Sequence, residues 1–304
     1  MISILTLTLT LATLAPIKFV VSKPFGEEVK KVVEALAKEL NQPELIQDVE
    51  IAAATVDRPT RTLTVGDYNG GGPMYPASVV KLFYLAYAYQ LVSERKLKLT
   101  DEITRALRDM IVDSSNDATG LIVDLVTGTT GGPELGPKEL AEWMNKRQAA
   151  NRYFKSLGYE GVNACQKTWN EGPYGRERQG YGPKFELRNS LTPIACLRLI
   201  SEISMDGIVG PSECDAMRSL LARNVGAESS DPDDQSKFAG RYLPTGTLLW
   251  SKAGWVSSER HDVAFVKTPN GKEFALAIFT KHNSTNSTLI GELAKRILTN
   301  FGAL

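Results

Sequence analysis

A serine and a lysine three positions apart, Ser78 and Lys81, stand where a Gly-rich loop (Asn69-Gly70-Gly71-Gly72-Pro73) gives way to the apolar run Leu82-Phe83-Tyr84-Leu85-Ala86-Tyr87-Ala88. The run reads as a buried helix, and residues i and i+3 at its start face the same way. A hydroxyl in a first helical turn lies near unpaired backbone N–H groups and the positive end of the helix. That setting suits a nucleophile that becomes an alkoxide and then carries a tetrahedral intermediate. Lys81, desolvated by apolar neighbours, could be lowered in pKa enough to take the serine proton. The same residues also describe an N-capping serine followed by an ordinary lysine, a common combination in helices.

Two later stretches bear on that choice. Ser114-Ser115-Asn116 precedes the apolar run Leu121-Ile122-Val123, and Lys252-Ala253-Gly254 follows the β-rich run Thr247 to Trp250. Taken singly, Ser114 or Ser115 caps a helix and Lys252 is a strand-edge lysine. Taken together, on a helix start, a helix–helix turn and a late strand, the three stretches favour function.

The elements that must position them are legible in the periodicity. Glu27 to Leu40 carries Val29, Val32, Val33, Leu36 and Leu40 at helical spacing. Val49 to Val56 and Thr62 to Val65 read as strands joined through Asp57-Arg58-Pro59-Thr60. From Lys96 to about Gly240 the chain is mostly helical, with Lys138 to Phe154 as one helix and Gln166 to Glu186 as a long irregular loop of the kind that is usually functional. Val263 to Val266 and Phe274 to Phe279 flank Pro269-Asn270-Gly271, a hairpin signal, and Ser287 to Phe301 is an amphipathic helix. Strands at both ends and helices between predict an α/β fold: a mainly antiparallel sheet formed from both chain ends, flanked by helices, with an inserted all-α lobe. The expected division is an apolar leader over 1–22, an α/β lobe over 23–68 and 240–304, and a helical lobe over 69–239 that carries the nucleophile. A cleft between the lobes is the natural ligand site.

Composition narrows the partners. In 304 residues, 35 Lys and Arg balance 35 Asp and Glu, and no basic tract interleaves with aromatics, so nucleic acid is not expected. Cys165, Cys196 and Cys214 are odd in number and widely spaced, and with His261 and His282 they make no disulfide framework and no metal-ligand pattern. The expectation is a monomer without metal or cofactor acting on a small molecule. Met1 to Ala15 is apolar apart from Ser and Thr, with Thr13-Leu14-Ala15 as a cleavage site, so export to the periplasm or outside is expected. No Lys or Arg precedes the run and Pro16 would follow the cut; an apolar N-terminal strand is the competing reading.

Ser78-Val79-Val80-Lys81, Ser114-Ser115-Asn116 and Lys252-Ala253-Gly254 occur in the order of the S-x-x-K, S-D-N and K-T-G signature. From about Val49 to Leu304 the chain resembles the class A β-lactamase and penicillin-binding serine hydrolase superfamily. The likeness includes Met74-Tyr75-Pro76-Ala77, Ser115-Asn116-Asp117-Ala118-Thr119, Leu191-Thr192-Pro193 and Arg260-His261-Asp262-Val263-Ala264. The resemblance implies that Ser78 forms an acyl-enzyme, that Lys81 takes its proton directly or through a water, and that Ser114 relays a proton to the leaving nitrogen. It implies that Asn116 binds the substrate's side-chain amide and that Lys252 holds positive potential near the substrate carboxylate. The N–H groups of Ser78 and Trp255 would form the oxyanion hole, with Gly254 beside it, and Arg260 would clamp the carboxylate or else sit in a surface salt bridge. Two departures stand out. Ala253 replaces the usual Thr or Ser, a loss that Ser257 or Ser258 could cover. In the loop Lys167-Thr168-Trp169-Asn170-Glu171-Gly172-Pro173-Tyr174-Gly175, Glu171 is the candidate deacylation base, yet Gly175 stands where a partner Asn belongs and Asn170 competes for the key position. Glu177 and Glu186 are further carboxylates in that region.

The readings that follow are a serine β-lactamase, a D-alanyl-D-alanine peptidase or esterase of the penicillin-binding type, and a binder that does not turn over. A Ser-His-Asp hydrolase is disfavoured because no G-x-S-x-G occurs.

Overall fold

The structure is a computed structural model that describes residues 15–231, 233–302 and 304. Its strands, among those residues, are β1 (Lys18–Val21), β2 (Val49–Asp57), β3 (Thr62–Tyr68), β4 (Val162–Asn163), β5 (Ser190–Leu191), β6 (Ala222–Arg223), β7 (Leu248–Trp255), β8 (Glu259–Lys267) and β9 (Glu273–Lys281). Seven of them form one sheet in the order β1-β3-β2-β9-β8-β7-β6, and β4 and β5 form a separate ladder. Every neighbouring pair is antiparallel except β1 and β3. The sheet is thus mainly antiparallel and drawn from both chain ends, as the periodicity predicts.

Both faces of the sheet are buried, and the alternation along each strand decides what each face touches. In β9, Phe274, Leu276 and Ile278 enter one core with the helices Lys23–Glu39 and Leu289–Asn300. Ala275, Ala277 and Phe279 enter the other, with the helices Lys81–Ser93 and Pro193–Ser204. The first of these helices starts where Ser22 accepts from the N–H of Phe25, and its buried stripe Val29, Val32, Val33 and Leu36 follows helical spacing. The β8–β9 turn closes with Gly271 at φ +81°, a conformation that a side chain would strain.

Three boundaries differ from expectation. Lys18–Val21 belongs to the sheet, hydrogen-bonded in parallel beside β3, so the segment 1–22 is not uniformly a leader. The β-branched pair Val20-Val21 suits that edge. The proposed cleavage site and the apolar run before it lie, apart from Ala15, outside the described residues. β6 and the helix Pro193–Ser204 come from the presumed helical lobe yet complete or cover the sheet; a two-residue strand carries no periodicity to read. Lys138 to Phe154 is two helices, Pro137–Arg147 and Ala149–Ser156, and the loop from Gln166 holds a short helix, Gly175–Gly180. All three cysteines are buried free thiols. No helix among the described residues is long and apolar enough to cross a membrane.

Candidate active site

Ser78 lies in a short 3-10 helix, Ala77–Val80, that runs directly into Lys81–Ser93. With three residues per turn, positions i and i+3 of a 3-10 turn align, so Ser78 and Lys81, the residue that follows the turn, lie on one side. Ala77, immediately before the serine, has φ +45°, a conformation costly for any residue but glycine. The loop before it is pinned by His261 of β8. The imidazole Nδ1 accepts from the N–H of Thr280 (3.1 Å), so Nε2 carries the proton and donates to the carbonyl of Tyr75 (2.9 Å). Burial pushes this histidine down to about 4, which keeps it a neutral brace rather than an acid or base.

Lys81 is wholly buried, and its Nζ meets the carbonyl of Ser114 (2.5 Å), Ser114 Oγ (3.2 Å) and Asn116 Oδ1 (2.8 Å). No carboxylate pairs with it among the described residues, and burial lowers it to about 7. A neutral amine has two N–H groups, which match the two shorter contacts, and its lone pair is left for a hydroxyl proton. Ser114, at φ +55°, is held in a left-handed conformation that turns both its carbonyl and its hydroxyl towards the lysines. Next to it, Ser115 caps the helix Asn116–Thr127 through the N–H of Ala118, so the two serines divide the chemical and the structural task.

Lys252 Nζ donates to Ser114 Oγ (3.0 Å), Gln235 Oε1 (2.8 Å) and the carbonyl of Ala253 (2.8 Å). Three acceptors complement an ammonium, while burial and the neighbouring Lys81 and Arg223 hold its pKa well below the ordinary lysine range. Ser114 Oγ is therefore shared by two lysines on two elements. The site also needs Gln235, which sequence reasoning did not single out. Its amide donates to the carbonyl of Val112 (2.8 Å) and its oxygen receives Lys252, 17 residues further on, so Gln235 ties the strand to the end of a helix that no pattern in the sequence links to it.

The strand sets the oxyanion donors. Val256 N–H bonds to Glu259 O (3.0 Å), so the adjacent pair Trp255 and Arg260 is a non-hydrogen-bonded pair, and the N–H of Trp255 points away from β8. Ala253 shares that phase, and its N–H reaches Gln235 Oε1 at 3.3 Å on the same side. Gly254 is pressed against the nucleophile's own backbone: a Cβ there would stand 2.7 Å from both Ser78 N and Val79 N. The N–H groups of Ser78 and Trp255 thus flank one edge of β7.

The remaining candidates divide. Ala253, Trp255 and Arg260 share the sheet face opposite Lys252. The methyl of Ala253 is wholly buried in the apolar core on that face, so its backbone, not its side chain, meets the site. Arg260 is 3% exposed, pairs with Asp233 (2.7 Å) and stacks 3.9 Å from the centre of Phe238, beside which Trp255 also packs. The arginine is buried and its carboxylate partner half-exposed, so the pair sits at the surface edge of the core, and a clamp on substrate would have to open it. Asn116 Nδ2 donates to Asn170 Oδ1 (2.9 Å), so Asn170 is the loop residue brought to the constellation. Glu171 is exposed, lines the adjoining cavity and makes no hydrogen bond among the described residues. Glu177 is not a free base: it is 2% exposed and paired with Arg147 (2.5 Å) and Lys167 (3.1 Å). Those two cations also hold Asp124 (3.0 and 2.6 Å), forming a buried network under the loop that no local pattern announces.

Comparisons with known proteins bear on the family and the fold. Residues 103–301 match the model of the beta-lactamase enzyme family. Among solved structures the chain is similar to a beta-lactamase from Sphaerobacter thermophilus, at 19% identity over 91% of this chain and 98% of that one, with a TM-score of 0.62. It is similar to the TLA-1 extended spectrum beta-lactamase at 15% identity (91% and 99% covered, TM-score 0.65). It is also similar to PBP-A, at 18% identity (96% and 100% covered, TM-score 0.62). At such identities these structures speak for the fold. No curated protein matches the sequence.

Proposed function

This chain belongs to the beta-lactamase enzyme family, and from that premise we propose that it is a serine hydrolase which opens a lactam amide through an acyl-enzyme on Ser78. The observation that carries the reading is the amine of Lys81, one turn after Ser78, wholly buried without a carboxylate partner among the described residues, bonded to Ser114 and Asn116 and lowered by burial to about 7.

In the proposed cycle Ser78 Oγ attacks the carbonyl carbon while Lys81 Nζ takes its proton. The oxyanion lies against the N–H groups of Ser78 and Trp255, each such donor contributing about 3 to 4 kcal/mol. The proton then passes from Lys81 to Ser114 Oγ, as Ser114 gives its own to the leaving nitrogen and the C–N bond breaks. Lys252 supports the relay by donating to the same hydroxyl. Water then adds to the acyl carbon, and its proton returns to Ser78. Asn116 contributes an amide to the acyl side of the substrate. Export is part of the same proposal and rests on the apolar N-terminal run.

The loop favours a second reading. With Glu171 unbonded and Asn170 in contact with Asn116, deacylation would be slow, as in a penicillin-binding protein, and the natural substrate would be a D-alanyl-D-alanine peptide or an ester. Mixing the protein with a chromogenic cephalosporin and following colour and intact mass separates the readings. Repeated turnover supports the lactamase; one burst with a stable adduct supports the penicillin-binding type. An adduct that survives Ser78→Ala would remove the nucleophile, and neither colour nor adduct would remove lactams as substrates.

A further inference from the structure

The helix Asp101–Ile111 stops just before the turn that carries Ser114, and the last carbonyls of a helix have no partner within it. Those of Ile111 and Val112 are met by side chains from far along the chain. Gln235 Nε2 donates to the carbonyl of Val112 (2.8 Å) and to that of Ile111 (3.3 Å), and Arg223 Nη2 also donates to that of Ile111 (3.1 Å). The other end of the Gln235 amide faces strand β7. Its Oε1 accepts from Lys252 Nζ (2.8 Å), from the N–H of Ala253 (3.3 Å) and from Arg223 Nη2 (3.3 Å). Three donors meet the oxygen and two carbonyls meet the nitrogen, so the amide has one orientation. The side chain is buried in a 3-10 turn, Gln235–Lys237, whose start Asp234 caps by accepting from the N–H of Ser236. On its other side the Ser114 turn is fixed by the N–H of Ser115, which donates to the carbonyl of Asp109 (2.9 Å). Ser114 stands between these anchors at φ +55°, a conformation that persists only where the surroundings impose it.

Resting on the reading of Ser78 as the acylated residue, we propose that Gln235 is a positioning residue of the proton relay, the brace that keeps Ser114 Oγ and Lys252 Nζ in register while an amine leaves. One amide holds both partners of their 3.0 Å contact: the turn of Ser114 through Val112, and the amine of Lys252 directly. Gln235 makes no hydrogen bond to Ser78, Lys81 or Trp255, so attack on the carbonyl and support of the oxyanion do not pass through it. In the step it serves, the C–N bond breaks and its electron pair goes to nitrogen. Ser114 Oγ supplies the proton and takes one from Lys81. A leaving group that departs as a stable anion needs no such proton. In a p-nitrophenyl ester the C–O bond breaks, the pair leaves on the phenolate, and the proton on Lys81 passes to water.

The test compares two acylations of the full chain: by benzylpenicillin, read by intact mass, and by the p-nitrophenyl ester of phenylacetylglycine, read by the burst of phenolate. Ser78→Ala sets the background for both. In Gln235→Met, acylation by benzylpenicillin should fall about tenfold to 100-fold, at or below the share that a positioned proton donor contributes. Acylation by the ester should stay within about threefold of the parent, because no donor is needed there. Gln235→Glu keeps an acceptor for Lys252 and should retain more lactam acylation than Gln235→Met, a rescue that a space-filling role would not give. Melting curves show which variants are folded; should Gln235→Met not fold, Gln235→Glu carries the test, with a smaller loss confined to the lactam expected. Equal losses with the two substrates in a folded variant, or no loss with either, overturn the proposal and leave Ser78 in place. A parent that reacts with the ester alone has no working relay to nitrogen, which also overturns it. No Ser78-dependent reaction with either substrate overturns the reading beneath the proposal, and the proposal with it.

Discussion

Gly254 lies so close to the backbone of Ser78 that a single added methyl would stand 2.7 Å from the nucleophile's amide nitrogen. The atoms in the way are backbone, Ser78 N, Val79 N and Pro76 O, so no rotamer can relieve the clash. The strand would have to retreat, and the oxyanion donors on Ser78 and Trp255 would separate. Gly254→Ala should therefore lose about 100-fold or more in acylation and about 1 to 3 kcal/mol of stability through overpacking. Stopped-flow acylation alongside urea denaturation checks both. Acylation within a few-fold of the parent would mean that β7 does not set the oxyanion geometry.

Lys81 makes the pH dependence of acylation a signed prediction. Its amine is lowered by burial to about 7, and only the neutral form can accept the Ser78 proton. The acylation rate should rise tenfold per pH unit on the acid side and level off above about pH 7 to 8. His261, at about 4, is a neutral brace across this range and should leave no catalytic inflection of its own. A single-turnover profile that is flat from pH 5.5 to 8.5, roughly the range over which such groups titrate, would exclude Lys81 as the base.

The network under the loop offers a test that separates the two half-reactions. Arg147 is fully buried, stacked 4.3 Å from the ring centre of Trp143, and depends on Glu177 and Asp124 for compensation. Removing one partner of a buried pair typically costs about 3 to 5 kcal/mol because the survivor stays desolvated. Glu177→Ala should lower stability by about that amount and open residues 166–180 to limited proteolysis. Acylation, which rests on Ser78, Lys81 and Ser114, should fall far less than release of the acyl group. Equal losses in both steps would show that the loop also shapes the nucleophile's surroundings.

Much of this was legible in the sequence because it is local. The Ser115 cap and the alternation in β8 and β9 are each written within a few residues, and each reads the same way in the structure. What escaped was long-range. Gln235 reaches Lys252, and Arg147 reaches Glu177 across 30 residues; nothing in the intervening chain marks either pair. The strands β1 and β6 escaped for another reason: four and two residues at sheet edges are stabilised by the neighbour they pair with more than by their own pattern. Ala253 looked like a lost substrate contact because a motif names residue types and not faces. The alternation of β7 places its methyl in the core.

A site built from buried amines should be bought at the expense of stability, and Lys81 gives the sign. Its pKa is about 7 in the folded protein against about 10.4 in an unfolded chain, so the unfolded state binds more protons between those values. Stability should therefore increase as pH rises from about 7 towards 10, and the penalty from Lys81 should be nearly complete at and below neutrality. Lys81→Met keeps the length and apolar stem of the side chain and removes the charge. Replacing a buried charge by a well-packed apolar group commonly stabilises by about 1 to 4 kcal/mol, and Lys252 would also lose the repulsion of its neighbour. The variant should melt higher than the parent at pH 7, the difference should shrink towards pH 10, and acylation should be abolished. A variant less stable at pH 7 would mean that the three oxygen contacts of Lys81 outweigh its desolvation, and that the amine is charged in the resting site.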